Sequence, residues 1–212
     1  FIMMNLEDMN VTKPDAGELA SEDKWILSAV NTLIKDVTEN MDKYELGIAV
    51  SKVYDFIWDE FCDWYIEIAK IRTYKKEENP QAANAALWTL KTVLGQALKL
   101  LHPYMPFLTE EIWHHIADRT PEQALIVGEW PKAKAFDEKL ISDFDFATEV
   151  ISGIRTIRKD KNIPFKDAME LKVVNNEKAS TYFDSVIQKL GNVTTLEYVS
   201  DKVEGALSYR VK

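Results

Sequence analysis

The sequence predicts a mainly α protein, a helical bundle followed by a small α+β unit. Three observations carry that expectation. Apolar residues recur at three- and four-residue steps through most of the first 160 positions, the spacing of amphipathic helices. The chain of 212 residues holds only seven glycines and seven prolines, and most of the prolines fall between the periodic segments. Beyond Asn162-Ile163-Pro164 the pattern shifts to short stretches of alternating apolar and polar residues.

Residues 6–18 carry Pro14, Gly17 and several acids, which suits a connecting loop. Phe1–Asn5 is apolar without a basic lead and reads as the tail of an interrupted helix. Ser21 offers an N-cap, with Glu22 and Asp23 favourably placed for the helix dipole. Trp25, Ile26, Ala29, Leu33, Ile34, Val37 and Met41 then mark a first helix ending near Lys43. A longer helix is expected over 46–76, with Ala49, Val53, Phe56, Ile57, Phe61, Trp64, Tyr65, Ile68 and Ile71 on its apolar stripe.

Asn79-Pro80 ends that helix, because proline disfavours helical geometry in the residue before it. Leu87, Leu90, Leu94, Leu98 and Leu101 define a third helix over 81–102, stopped by Pro103 and Pro106. Thr109 is the expected cap of a short fourth helix holding Ile112, Trp113 and Ile116. Residues 125–131 read as extended, and helix returns over 138–161. A strand at 169–174, a helix at 177–190 closed by Gly191, and strands at 194–199 and 207–211 complete the expectation. The resulting division is 1–18 as the tail of a preceding domain and linker, 19–165 as the helical domain, and 166–212 as a truncated α+β unit.

Composition narrows the function. Hydrophobic content of 46% and aromatic content of 11% belong to a globular protein, not a disordered or disulfide-stapled one. A net charge of −9 excludes a surface that grips nucleic acid everywhere, so any RNA contact requires positive charge concentrated locally. The single cysteine, Cys62, forms no internal disulfide and supports a reducing, cytoplasmic setting. No apolar run reaches 18 residues, so no membrane contact is expected.

Three strings are more specific than periodicity. Tyr54-Asp55-Phe56-Ile57-Trp58-Asp59-Glu60-Phe61-Cys62-Asp63-Trp64-Tyr65 resembles the Y-x-F-I-W-x-E-x-C-D-W-Y run of valyl-tRNA synthetases. Leu101-His102-Pro103-Tyr104-Met105-Pro106-Phe107-Leu108-Thr109-Glu110-Glu111-Ile112-Trp113 is similar to their L-H-P-x-M-P-F-[IL]-T-E-E-I-W turn between two helices. Ile154-Arg155-Thr156-Ile157-Arg158-Lys159-Asp160-Lys161-Asn162-Ile163-Pro164 resembles their I-R-x-I-R-x-x-x-x-I-P string, and Asp23-Lys24-Trp25-Ile26-Leu27-Ser28 their D-x-W-I-L-S segment. The likeness covers nearly the whole chain, in the same order.

The resemblance implies the anticodon-binding domain of a class I aminoacyl-tRNA synthetase, with valine tRNA and its anticodon stem-loop as partner and the catalytic domain of the same parent chain beside it. The parent enzyme attaches valine to tRNA using ATP with Mg2+. The phosphate-holding H-I-G-H and K-M-S-K-S motifs are not in this sequence, so the fragment is expected to hold no cofactor and no catalytic residues. A leucyl or isoleucyl relative, and a helical protein-interaction module without an RNA role, stand as alternatives.

Single-stranded loops are read by stacking and edge contacts while Lys and Arg hold phosphates. Two basic clusters therefore stand out: Lys70, Arg72, Lys75 and Lys76, and Arg155, Arg158, Lys159 and Lys161 with Lys166. Arg155 and Arg158 share a helical face. Lys52 is a further candidate; Trp58, Trp64 and Tyr65 are aromatics that could stack bases, although helical spacing favours the core, for Trp64 above all, and Tyr65 is kept as the aromatic candidate. Glu111-Ile112-Trp113-His114 matches one E-x-x-H motif, but di-iron bundles require two, so no metal is expected. Cys62 between Phe61 and Asp63 lacks the electropositive setting of a nucleophile.

Overall fold

The computed structural model describes residues 1–7, 9–175 and 179–210. They form two compact units, one over Phe1–Asp137 and one beginning at Glu138.

The first unit contains α1 (Ile2–Leu6), α2 (Ser21–Asp42), α3 (Leu46–Asp55), a π-helical stretch (Phe56–Ile66), α4 (Glu67–Thr73), α5 (Pro80–Leu101) and α6 (Pro106–His115), then short 3-10 turns at Pro121–Gln123 and Leu125–Val127. Helix α2 begins one residue earlier in its capping than the sequence suggests. Ala20 is the N-cap, and the Asp23 carboxylate accepts the Ala20 N–H at 3.0 Å, while Ser21 is already helical. Tyr44 turns the chain from α2 into α3 with φ of 60°, and the Glu45 N–H closes the turn on the Asn40 carbonyl at 2.9 Å.

The expected 46–76 helix runs unbroken to Thr73, changing pitch on the way, and residues 74–78, with Lys75 and Lys76, form a turn instead. The helix's buried residues are Ala49 and Val53, then Phe56, Phe61 and Tyr65, then Ile68, Ala69 and Thr73. An α-helix carrying Phe56 inward would turn Asp59 or Glu60 inward next. The wider π turns advance the inward position to Phe61 and leave Asp59 in solvent. The rare geometry thus spares the core a carboxylate, whose burial without a partner costs several kcal/mol.

Asn79 and Pro80 do more than end the preceding helix. The Asn79 side chain accepts the Ala82 N–H at 3.0 Å and Pro80 occupies the first helical position of α5, where its missing N–H is harmless. Helix α5 then buries Leu87, Leu90, Val93 and Leu98 together with the small residues Ala83, Ala86, Gly95 and Ala97, which admit close neighbours. It packs against α2, α3, α4 and α6. Thr109 lies inside α6 and does not cap it: its hydroxyl donates to the Met105 carbonyl at 2.9 Å and lies 2.7 Å from His102 Nδ1. Leu98, Ile116 and Leu125 form a satellite core, with Glu110 accepting the Leu125 and Ile126 N–H groups at 2.8 and 3.2 Å. Residues 125–127 are therefore a 3-10 turn, not an extended segment.

The second unit holds α7 (Glu138–Asp160), β1 (Met169–Val174), α8 (Asp184–Gly191) and β2 (Val193–Val199). The strands pair in parallel, Glu170 opposite Thr195 and Val173 opposite Tyr198, with α8 as the crossover that parallel pairing requires. Helix α7 falls in this second compact unit, which begins at Glu138. It packs on α8, with the Phe144 and Phe183 rings edge-on at 5.0 Å. Of the expected 177–190 helix, 184–190 is helical, 179–183 is not, and 177–178 lie outside the described residues. The expected 207–211 strand does not form over its described residues 207–210. The Tyr209 ring instead lies on α7 at Gly153, so close that a Cβ there would sit 2.7 Å from it.

Candidate nucleic-acid interface

Three of the ten residues assigned to RNA from sequence are structural. Asp23, with no exposed surface, accepts the Tyr65 hydroxyl at 2.6 Å and both terminal nitrogens of Arg72, the first at 2.7 Å. Glu22 lies 3.6 Å from Arg72 Nε. Tyr65 is itself fully buried, and burial together with the Asp23 charge pushes its hydroxyl well above the usual tyrosine range. Burial works to lower the Arg72 pKa, but the hydrogen bonds and charge of Asp23 outweigh it and hold the guanidinium ionised. This triad clamps α2 to the π stretch and α4, and it engages the Tyr65 hydroxyl and both terminal nitrogens of Arg72.

Arg158 is the third. Only 6% of it is exposed, and its two terminal nitrogens donate to four carbonyls: Pro164 and Asp167 at 2.9 and 2.8 Å, Gly191 and Asn192 at 3.1 and 3.2 Å. Gly191 and Asn192 end α8, where backbone carbonyls favour a cation. Arg158 therefore joins the end of α7 to the end of α8. Sequence spacing placed Arg155 and Arg158 on one face, yet Arg155 is exposed and Arg158 is not.

The remaining candidates are accessible. Lys52 lies 3.1 Å from Asp36, Lys70 pairs with Glu67, and Lys75 lies 3.3 Å from Glu78. Such surface pairs are worth a few tenths of a kcal/mol and exchange readily for a phosphate. Lys76 is half-buried; Arg155, Lys159 and Lys161 are exposed at the end of α7, in the second unit. The two basic clusters thus belong to different units.

Of the aromatics that could stack bases, Trp58 is accessible, and it has an exposed neighbour, Tyr54, that sequence reasoning missed. Tyr54 and Trp58 are 60% and 54% exposed, with ring centroids 6.1 Å apart. They lie where α3 passes into the π stretch, and Lys52 is also on α3. The signal was present in the five-residue step from Phe56 to Phe61, which leaves Trp58 off the apolar stripe. Elsewhere, Glu110 is engaged with backbone and lies 3.1 Å from His114, so that region is a joint between α6 and the turn beyond it. Burial and the neighbouring Asp63 raise the Cys62 pKa, which keeps it a thiol.

Residues 23–175 match the family described as the anticodon-binding domain of tRNA ligase. The chain belongs to that family. The domain's relatives include valine–tRNA ligases of Christiangramia forsetii, 42% identical over 95% of this chain, and of Clostridium perfringens, 39% identical over 95%. The ligase of Fervidobacterium nodosum is 36% identical over 96%. The chain spans 22–23% of the length of these relatives. The family match runs through the helical unit and α7 to the end of β1, so it crosses the boundary between the two units. Among the described residues, no helix is long and apolar enough to cross a membrane.

Proposed function

We propose that this anticodon-binding domain holds the anticodon stem-loop of valine tRNA for a cytoplasmic valine–tRNA ligase. The observation that carries the reading is the alignment of 95% of the chain with valine–tRNA ligases on top of the family match. The Cys62-Asp63-Trp64-Tyr65 end of the Tyr54–Tyr65 string favours valine, whereas leucyl and isoleucyl relatives carry versions of the Leu101–Trp113 turn. Activation of valine with ATP and Mg2+, and its transfer to tRNA, belong to the remaining length of the parent enzyme, and the fragment alone is inactive.

The chemistry of loop recognition assigns the roles. Trp58 and Tyr54 offer exposed rings to unstacked bases, each stacked base contributing about 1–3 kcal/mol. Lys52, Lys70, Lys75 and Lys76 in the first unit, and Arg155, Lys159 and Lys161 in the second, hold backbone phosphates. The test is a gel-shift titration at fixed salt with valine tRNA and a transcript changed only in the anticodon. The altered transcript should bind at least about tenfold more weakly, and Trp58→Ala should weaken binding of both transcripts, because stacking tolerates any base. Equal affinity for both transcripts refutes anticodon recognition.

A further inference from the structure

On the first unit, lined by none of the residues assigned to RNA above, lies an open cleft of about 380 Å³ whose walls include Lys13, Trp88, Lys91, Lys99, Trp113 and Arg119. Trp88, Lys91, Thr92, Gly95, Gln96 and Lys99 recur at steps of one, three and four along α5 and form a stripe beside its buried one. Trp113 and Arg119 close one side. The Arg119 guanidinium stacks 3.6 Å from the Trp113 ring centroid and donates to the Trp113 and Ala117 carbonyls, and Trp113 Nε1 donates to the Gln123 carbonyl at 3.0 Å. The other side is held as firmly: Thr12 and the Asn84 side chain exchange two hydrogen bonds of 2.9 and 3.0 Å, which fix the backbone beside Lys13 against α5.

The walls thus carry four cations and two indoles, and no Asp or Glu among the described residues. Among the described residues no carboxylate lies within ion-pair distance of Lys13, Lys91, Lys99 or Arg119, although the Glu110 charge acts on Arg119; Lys99 Nζ is 3.4 Å from the Glu129 carbonyl and 6.0 Å from the Trp113 ring centroid. On a chain of net charge −9 this is the concentrated positive charge that phosphate contact demands. A cleft walled by one sign of charge also focuses the field on an entering anion. Lys91 and Lys99 stand about 12 Å apart along the helix, with Trp88 one turn beyond Lys91, so a base and its phosphate are served by different groups.

We propose that this cleft binds a nucleoside phosphate, the base against Trp88 and the phosphate among Lys13, Lys91 and Lys99. Its occupant is a nucleotide of bound tRNA outside the anticodon, and that source rests on the function proposed above. The alternative source of the same chemistry is a free mononucleotide.

The test follows the indole N–H resonances of the six tryptophans in the 15N-labelled chain, with Trp88 and Trp113 assigned through Trp88→Phe and Trp113→Phe. Adenosine 5′-monophosphate should shift the Trp88 resonance more than adenosine or inorganic phosphate does. Lys13→Glu combined with Lys91→Glu should weaken that binding at least about tenfold while the other indole resonances keep their folded positions. Transfer RNA should move the same resonance, and mononucleotide should compete with it there. A response to mononucleotide but not to tRNA overturns the RNA source and leaves the nucleotide site. No shift with either, up to about 10 mM nucleotide, overturns the site. Anticodon-dependent gel shifts with an unmoved Trp88 resonance would sink the cleft and leave the anticodon reading intact.

Discussion

Replacing Asp23 with alanine should be among the most damaging single changes in the first unit. Asp23 is completely buried and accepts four hydrogen bonds, from the Tyr65 hydroxyl, both terminal nitrogens of Arg72 and the Ala20 N–H. Its loss leaves a guanidinium whose side chain is 13% exposed, with only Glu22 at 3.6 Å nearby, and strips the hydroxyl of a fully buried tyrosine of this acceptor. Removing one partner of a buried ion pair costs about 3–5 kcal/mol, and the lost bond to the Ala20 N–H adds about 1 kcal/mol. At roughly 2–4 °C per kcal/mol for a chain of this size, the midpoint should fall by about 8–24 °C. Thermal and urea unfolding followed by circular dichroism at the helical band measures this. Tyr65→Phe, which removes one hydrogen bond and leaves the ion pair, should cost only about 1 kcal/mol. An Asp23→Ala midpoint shifted no more than that of Tyr65→Phe would refute the clamp.

Two further outcomes follow from the buried polar groups. Arg158→Lys should destabilise the second unit by about 2–3 kcal/mol, because an ammonium cannot reach carbonyls on both sides as a planar fork does; hydrogen exchange should rise first at the end of α8 and the start of β2. The raised pKa values of Tyr65 and Tyr198 make stability pH-dependent on the alkaline side. Each folded-state pKa lies above the unfolded value of about 10, so this contribution is complete below pH 10 and is lost as pH rises beyond it. Urea midpoints should fall above that pH, and Tyr65→Phe should shrink the fall.

The helices of the bundle were legible because their cause is local. Apolar spacing, the Asn79-Pro80 pair and the prolines at 103 and 106 act within a few residues, and α2, α5 and α7 appear where that chemistry puts them. The site was less legible, since a basic residue reads the same whether it meets phosphate or a buried carbonyl. Arg158 and Arg155 differ by one helical turn in sequence and by burial in space. What separates them is the arrival of residues 164–167 and the end of α8 around one guanidinium, contacts 6 to 34 positions away.

By itself, then, the sequence determined the helical class, the order of the helices, the change of character after Asn162 and, through three strings, the family. Tertiary structure alone decided that Tyr65, Arg72 and Arg158 are held by internal partners, that α7 packs on α8, and that lysines 13, 91 and 99 meet two tryptophans in one cleft. The reason is common to all of them. Periodicity specifies which face of an element is apolar, but the partner of a charge or a face comes from residues far along the chain, brought together only when the helices pack.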